Sequence, residues 1–297
     1  MPELPEVESL VTYLRRTLEG LRIAGVELAA INALKTFEPP VTSLIGARVL
    51  DVQRRGKFLD LVLVDDNGEP IHLVIHLARA GWLQWRMELP AAAPRPGKGP
   101  LAFRVAFVDD DGVSAGGFDL TEAGTQKKLA VYVVRDPSAI ERISTLGPEP
   151  LATGFTLEVF SEILAQAAGH QLKGVLRDQR TIAGIGNAYS DEILNAARLS
   201  PFKLAGKLAP EEVENLYRQM REVLSDAVTR SSGLGAADLK AEKKLGMRVH
   251  GRTGEPCPSC GDIVREVSFA DSSLQYCPTC QTGGTPLADR RTSKFLK

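Results

Sequence analysis

Val7, Leu10, Val11, Leu14 and Leu18 recur at helical spacing near the amino terminus, and Gly20 stops the run. Proline at a first helical position and acids in a first turn account for Pro5, Glu6 and Glu8, but they leave Pro2 and Glu3 of the opening MPELPEVESL unexplained. Beyond this helix the period drops to two. PIHLVIHL alternates strictly, with Ile71, Leu73, Ile75 and Leu77 on one face. His72, Val74 and His76 make the other, a face expected to point at solvent or phosphate. GKFLDLVLV, LAFRVAFVD and LAVYVV are short apolar runs separated by glycine, proline or acidic turns, so residues 1–135 read as an antiparallel sheet or sandwich. AAAPRPGKGP, residues 91–100, breaks the pattern and reads as a surface loop.

The texture changes at LGPEPL, residues 146–151. TLEVFSEILAQAA, SDEILNAARL and APEEVENLYRQMREVLSDAV return to helical spacing with acids at their starts. The last piece holds all four cysteines. The organisation predicts an N-terminal domain over 1–135, a linker over 136–150, a helical domain over 151–246, and a cysteine-bearing piece with a basic tail over 247–297.

A chain of 297 residues sits near the size at which one core stops growing, which favours two domains. No apolar run approaches the roughly 20 residues of a membrane span. The first ten residues carry three glutamates and no base, unlike a secretory signal, so a cytosolic location is expected. A formal net charge of -1 does not exclude a nucleic-acid partner, because binding follows the local field. Bases do cluster, at Arg54, Arg55 and Lys57, at Lys127 and Lys128, at Arg177 and Arg180, and from Lys240 to Arg252. From Glu242 onward nine bases face six acids.

Cys257, Cys260, Cys277 and Cys280 form CPSC and CPTC knuckles 16 residues apart. Two such knuckles let four thiolates meet at tetrahedral corners, the geometry of a closed structural zinc site. Disulfides are disfavoured in a cytosolic chain, and a redox Cys-x-x-Cys normally comes singly. With no open coordination position, one zinc would hold a fold and do no catalysis. His72 and His76, roughly 13 Å apart on a strand at about 3.3 Å per residue, cannot share an ion.

TIAGIGNAYSDEIL, residues 181–194, places a Gly-x-Gly pair before an amphipathic run. A dinucleotide fold fails on context, since the preceding KGVLRDQRTIA is helix-like and Ser190 stands where no third glycine appears. A helix, a Gly-x-Gly-Asn turn and a second helix would instead deliver backbone N–H groups to a phosphate, with Lys173 and Asn187 as contacts. A plain interhelical turn is the alternative. If Met1 is removed, as expected before a small second residue, Pro2 presents a secondary amine at a helix start. An α-amino group ionises near pH 8, against about 10.4 for lysine, and the helix dipole lowers it further. Such an amine can attack a carbonyl-like carbon and form an iminium, with Glu3 moving the proton. A purely structural role for both residues is the competing account.

Together PELPEVE, VQRRGKF (52–58), IHL (75–77), LGPEPL, RTIAGIGNAYSDEIL and VHGRTGEPCPSC with CPTC make the chain resemble the formamidopyrimidine-DNA glycosylase and endonuclease VIII family, nearer the first branch. The resemblance implies an α+β fold of two domains: an N-terminal antiparallel β-sandwich with flanking helices, and a helix-two-turn-helix module plus zinc ribbon, with DNA bound between the halves. It implies a glycosylase and abasic-site lyase acting as a monomer on double-stranded DNA that holds damaged bases or abasic sites, associated with the nucleoid and with no membrane. The family's catalytic proline falls on Pro2, its acid on Glu3, its sandwich lysine on Lys57 and its phosphate-gripping asparagine on Asn187. His76, Arg79, Lys127, Lys128, Lys173 and Arg252 are the further expected DNA contacts.

The chain departs from the family where lesions are read. HLARAG puts Arg79 in place of the methionine of His-Leu-Gly-Met-Ser-Gly. FDLTEAGTQKKLAV replaces the Asp-Pro-Arg-Arg-Phe-Gly loop, with Lys127 or Lys128 as partial substitutes, and Ser272 or Ser273 stands where the ribbon arginine is expected. These changes leave open a non-catalytic or abasic-site-only DNA-binding paralogue that recognises distorted DNA. An iminium-forming enzyme acting on a small carbonyl compound is a third alternative, which leaves the zinc ribbon unexplained.

Overall fold

Among the described residues, the period-two runs form one eight-stranded antiparallel sheet: β1 (Arg22–Leu28), β2 (Arg48–Arg55), β3 (Phe58–Val64), β4 (Pro70–His76), β5 (Gly81–Arg86), β6 (Leu101–Val108), β7 (Ser114–Glu122) and β8 (Ala130–Val134), in spatial order β5-β7-β6-β1-β2-β3-β4-β8. The computed structural model describes residues 1–90, 92, 97, 99–124, 126–269 and 272–288. Most of the 91–100 loop, Asp271, and the tail bases Arg290, Arg291, Lys294 and Lys297 lie outside them.

The sheet is joined at its middle by a single registered pair, Arg22 opposite Arg48, whereas β1 and β6 pair along their lengths. That narrow seam lets the two halves bury their apolar sides in one core. Phe103, Val105, Phe107, Phe118 and Leu120 come from one half, and Leu59, Leu61, Leu63, Leu73 and Ile75 from the other. This is the packing of a sandwich. Helix α1 (Leu4–Leu18) adds Leu10, Leu14 and Leu18, the residues its 3.6 period lines up.

The chain forms two compact units. The first comprises Met1–Thr145 with Ser231–Leu239, the second Leu146–Arg230 with Lys240–Lys297. Residues 231–239 follow the longest helix, yet Leu234, Ala236 and Leu239 pack in the sandwich core. Trp82 Nε1 donates to the Ala236 carbonyl at 2.9 Å, and Ser9 Oγ donates to Ser231 Oγ at 2.7 Å. The segment 136–150, expected as a linker, carries order of its own. Ile143 of its helix α2 (Glu141–Ser144) and the N-cap residue Ile140 pack with Phe58, Val74 and Val134 on the outer face of β3, β4 and β8.

The second unit holds α3 (Leu157–Gln166), α4 (Leu172–Arg177), α5 (Asn187–Ala196), α6 (Pro210–Ser231), α7 (Leu239–Gly246), a hairpin of β9 (Arg265–Ser268) and β10 (Ser273–Tyr276), and α8 (Pro278–Thr282). LGPEPL docks on the turn after α4: Gly147 N–H donates to Gln179 O, and Ala183 N–H to Pro148 O. A Cβ at Gly147 would sit 2.6 Å from the Arg180 carbonyl, so only glycine allows this approach. One expectation for this module fails. Because α5 begins at Asn187, Asp191 and Glu192 lie inside the helix and are buried instead of facing its dipole.

Candidate active site and nucleic-acid interface

Pro2 and Glu3 stand at the mouth of α1, both buried. Glu3 is the N-cap residue, and Glu6 reaches back to accept its main-chain N–H at 2.8 Å. This is the returning half of a capping box, and it holds the backbone directly behind Pro2. Glu6, read from the sequence as a first-turn acid, is thus a clamp; the Glu-x-x-Glu spacing of residues 3 and 6 was its available signal.

Lys57 sits in the two-residue turn between β2 and β3, where Arg55 pairs with Phe58. Gly56 takes φ +57° at the first central position, which supplies the left-handed geometry a tight hairpin demands. Arg54 ties this turn to the first helix. Its Nε donates to Glu8 Oε2 at 2.6 Å and its Nη1 to the Gly56 carbonyl at 3.1 Å. Nothing in the spacing of Glu8 and Arg54 announced that pair, since they are 46 residues apart.

The expectation that His72 and His76 face solvent is corrected by their burial. The outer sheet face they share is covered by α2 and its neighbours, so His72 Nδ1 pairs with the fully buried Asp60 at 2.8 Å, and Arg55 Nε donates to the other Asp60 oxygen. The His76 ring lies 4.7 Å from that of Phe58. Burial, then the charges of Arg142 and Lys57, depress its imidazole to about 3, so it is neutral throughout the physiological range. Its Nδ1 is buried with no hydrogen-bond partner.

Arg79 is exposed in the turn after β4, following Ala78 at φ +54°. Gly81 is forced, because a Cβ there would meet the Leu77 carbonyl oxygen at 2.0 Å. Between β7 and β8, Lys127 Nζ donates to Gly99 O, while the main chain at Lys128 and Leu129 donates to the buried Glu122 carboxylate. Pro2, Glu3, Lys57, His76, Arg79, Lys127 and Lys128 therefore all belong to the first unit.

In the second unit, Lys173 is buried and its Nζ donates to Asn187 O at 3.1 Å, to Ser190 Oγ at 2.9 Å and to Asp191. It acts as an internal strut for the start of α5. Asn187 Nδ2 donates to Ser273 O of β10 at 2.8 Å, which joins the Gly-x-Gly-Asn turn to the hairpin. Of the backbone N–H groups that this turn is expected to deliver to an anion, that of Gly184 donates instead to Gln179 Oε1 at 3.0 Å. Gln179 also donates to Ile185 O, cradling the turn from both ends.

Asp191 reaches His250 Nδ1 at 2.8 Å, and Glu192 accepts the main-chain N–H groups of Arg248, Val249 and His250. Burial raises the Glu192 carboxyl despite those three donors. Together these acids fix the chain entering the cysteine-bearing piece. Arg252 lies just beyond, in a surface ion pair with Glu255 at 3.3 Å.

The four cysteine sulfurs lie within 4.8 Å of one another, with Cys257–Cys280 at 3.9 Å and Cys260–Cys277 at 3.4 Å. Tetrahedral zinc with Zn–S near 2.3 Å needs edges of about 3.8 Å, so the donor set fits one structural zinc. Burial pushes the Cys277 thiol far up and that of Cys280 to about 11. The charge of a bound divalent ion would reverse that. Cys257 and Cys277 pack with Val249 and Val264, so the metal site is the centre of the ribbon's small core.

Three family models cover most of the chain. Residues 1–124 match the formamidopyrimidine-DNA glycosylase N-terminal domain, 146–237 its H2TH domain, and 254–283 the zinc finger found in FPG and IleRS. A formamidopyrimidine-DNA glycosylase of Thermus thermophilus is 37% identical over 295 residues, 96% of this chain and 100% of the relative. A formamidopyrimidine-DNA glycosylase-like protein of Mycobacterium tuberculosis is 60% identical over 154 residues, 50% of this chain and 98% of the relative. Among solved structures, Lactococcus lactis Fpg in complex with DNA containing an abasic site superposes with a TM-score of 0.79 at 25% identity, covering 94% of this chain and 99% of that one. With its N-terminal sandwich, helical module and four-cysteine ribbon in that order, this chain belongs to the formamidopyrimidine-DNA glycosylase family.

Proposed function

We propose that this chain is a DNA base-excision glycosylase with abasic-site lyase activity that uses Pro2 as its nucleophile. The observation that carries the reading is the construction at the start of α1. Pro2 precedes a buried Glu3 whose backbone is clamped by Glu6, and Glu8 and Arg54 link the same helix to the turn bearing Lys57.

With Met1 removed, the Pro2 nitrogen attacks C1′ of the damaged nucleotide. The N–C1′ bond forms and the glycosidic bond breaks, the base leaving with a proton. Opening of the C1′–O4′ bond gives an iminium and an O4′ hydroxyl whose proton Glu3 supplies. Loss of a C2′ proton then expels the 3′ phosphate and cuts the strand. Reaching C1′ requires the nucleotide to leave the duplex, at a cost of a few kcal/mol. Lys57, His76, Arg79, Lys127, Lys128, Asn187 and Arg252 serve the DNA, while Lys173 positions Asn187.

The lesion range is altered, because Arg79 and the 118–131 segment depart from the family's lesion-reading sequences. Oxidised bases are the substrate class, and excision of 8-oxoguanine opposite cytosine is weak. The same departures favour a second reading, a paralogue that binds distorted DNA without cutting it. Tag-free protein, abasic duplex and borohydride decide between the two. The first reading expects a covalent adduct at Pro2 that Pro2→Gly abolishes. Salt-sensitive binding with no adduct and no cleavage across a panel of lesion-bearing duplexes and single strands selects the second.

A further inference from the structure

Arg142 has no part in the chemistry above, yet its placement is specific. The packing of Ile140 and Ile143 against Phe58, Val74 and Val134 fixes α2 on the outer sheet face. It sets the Arg142 guanidinium carbon 5.4 Å from the centroid of the Phe58 ring. Phe58 pairs with His76 across β3 and β4, their rings 4.7 Å apart, and it follows Lys57 in the chain. The Arg142 guanidinium and the His76 ring therefore both lie against one aromatic ring, and the charges of Arg142 and Lys57 both act on that imidazole.

Arg142 is exposed, and no carboxylate of the described residues lies within ion-pair distance of its guanidinium. Beside the Phe58 ring, the exposed guanidinium has N–H donors available for an oxyanion. Arg142 and Lys57 both act as positive charges on the neutral His76 imidazole, and an anion held among these groups is attracted by both. The Nδ1 of His76 is buried, so an anion meets this residue only through the 8% of its surface that remains exposed.

We propose that Arg142 joins Lys57 and His76 in an anion subsite that holds one phosphodiester of the nucleic-acid backbone. The inference rests on the DNA-processing reading and adds a phosphate contact to it.

Salt titration of duplex binding by the full chain tests it, using an abasic-site analogue duplex with the parent, Arg142→Gln and Arg142→Lys. Removing one phosphate contact lowers the slope of log K against log salt by about 0.9. The expected result is that loss in Arg142→Gln, with affinity about tenfold weaker at low salt, a parental slope in Arg142→Lys, and melting close to the parent in both. A parental slope in Arg142→Gln overturns the inference, and a lower melting temperature with that slope would make Arg142 a structural clamp on Phe58 alone. Failure is separable from that of the proposed function. A parent that traps abasic DNA while Arg142→Gln keeps the parental slope rejects only the subsite. A parent that binds DNA but forms no adduct rejects the chemistry and leaves the slope to judge the subsite, and a parent with no duplex affinity rejects both.

Discussion

Arg54 Nε donates to Glu8 Oε2 at 2.6 Å, so the helix that begins behind Pro2 and the turn that carries Lys57 share one ion pair. The Arg54 side chain is only 11% exposed, which shields the contact from the screening that weakens surface pairs. Glu8→Gln keeps the shape and removes the charge. It should cost about 1 kcal/mol of stability and slow adduct formation on abasic DNA about tenfold, because small misplacements of reacting groups are expensive. Trapping time courses beside thermal melts check this; a parental rate would mean the turn is placed by the sheet alone.

His76 gives the protein a pH dependence whose sign follows from its burial. In the unfolded chain the imidazole takes a proton near pH 6.5, and in the folded chain only near about 3. The unfolded state therefore binds more protons between these values, and stability is lost as pH falls across that window, by up to about 1.4 kcal/mol per unit. His76→Phe, which can still pack on Phe58, removes this contribution. Denaturant midpoints at neutral and mildly acidic pH should converge less in the parent than in the variant; equal losses would refute the assignment.

Gly81 and Ala78, three residues apart, should respond to substitution in opposite directions. Gly81→Ala drives a methyl into the Leu77 carbonyl and should cost more than about 2 kcal/mol. Ala78→Gly relieves a left-handed backbone at φ +54° and should stabilise by roughly 0.5–1 kcal/mol. Chemical denaturation of both variants measures the two shifts. A destabilised Ala78→Gly would show that the alanine methyl packs well enough to offset its strain.

Metal analysis should find one zinc per chain, lost in Cys257→Ser. Because Cys257 and Cys277 form the ribbon core with Val249 and Val264, metal loss should unfold that core and weaken duplex binding at least tenfold. Stoichiometry after chelation and binding by the stripped protein test this. Parental affinity without zinc would separate the ribbon from DNA binding.

The elements were legible where one physical rule acts locally. Leucines at 3.6 spacing specified α1, strict alternation specified β4, and two Cys-x-x-Cys knuckles specified the metal site, because backbone period and ligand geometry are short-range constraints. The pairing of Glu8 with Arg54, the cover over His72 and His76, the membership of residues 231–239 in the sandwich core, and the approach of Arg142 to Phe58 were not legible. Each depends on which distant surface arrives opposite a residue. Thus PIHLVIHL by itself determined a strand with two faces, but only the packing of Ile140 and Ile143 on the second face decided that its histidines would lie away from water. Side-chain alternation is fixed by the local pleat, whereas what covers each side depends on contacts made by residues far away in the chain.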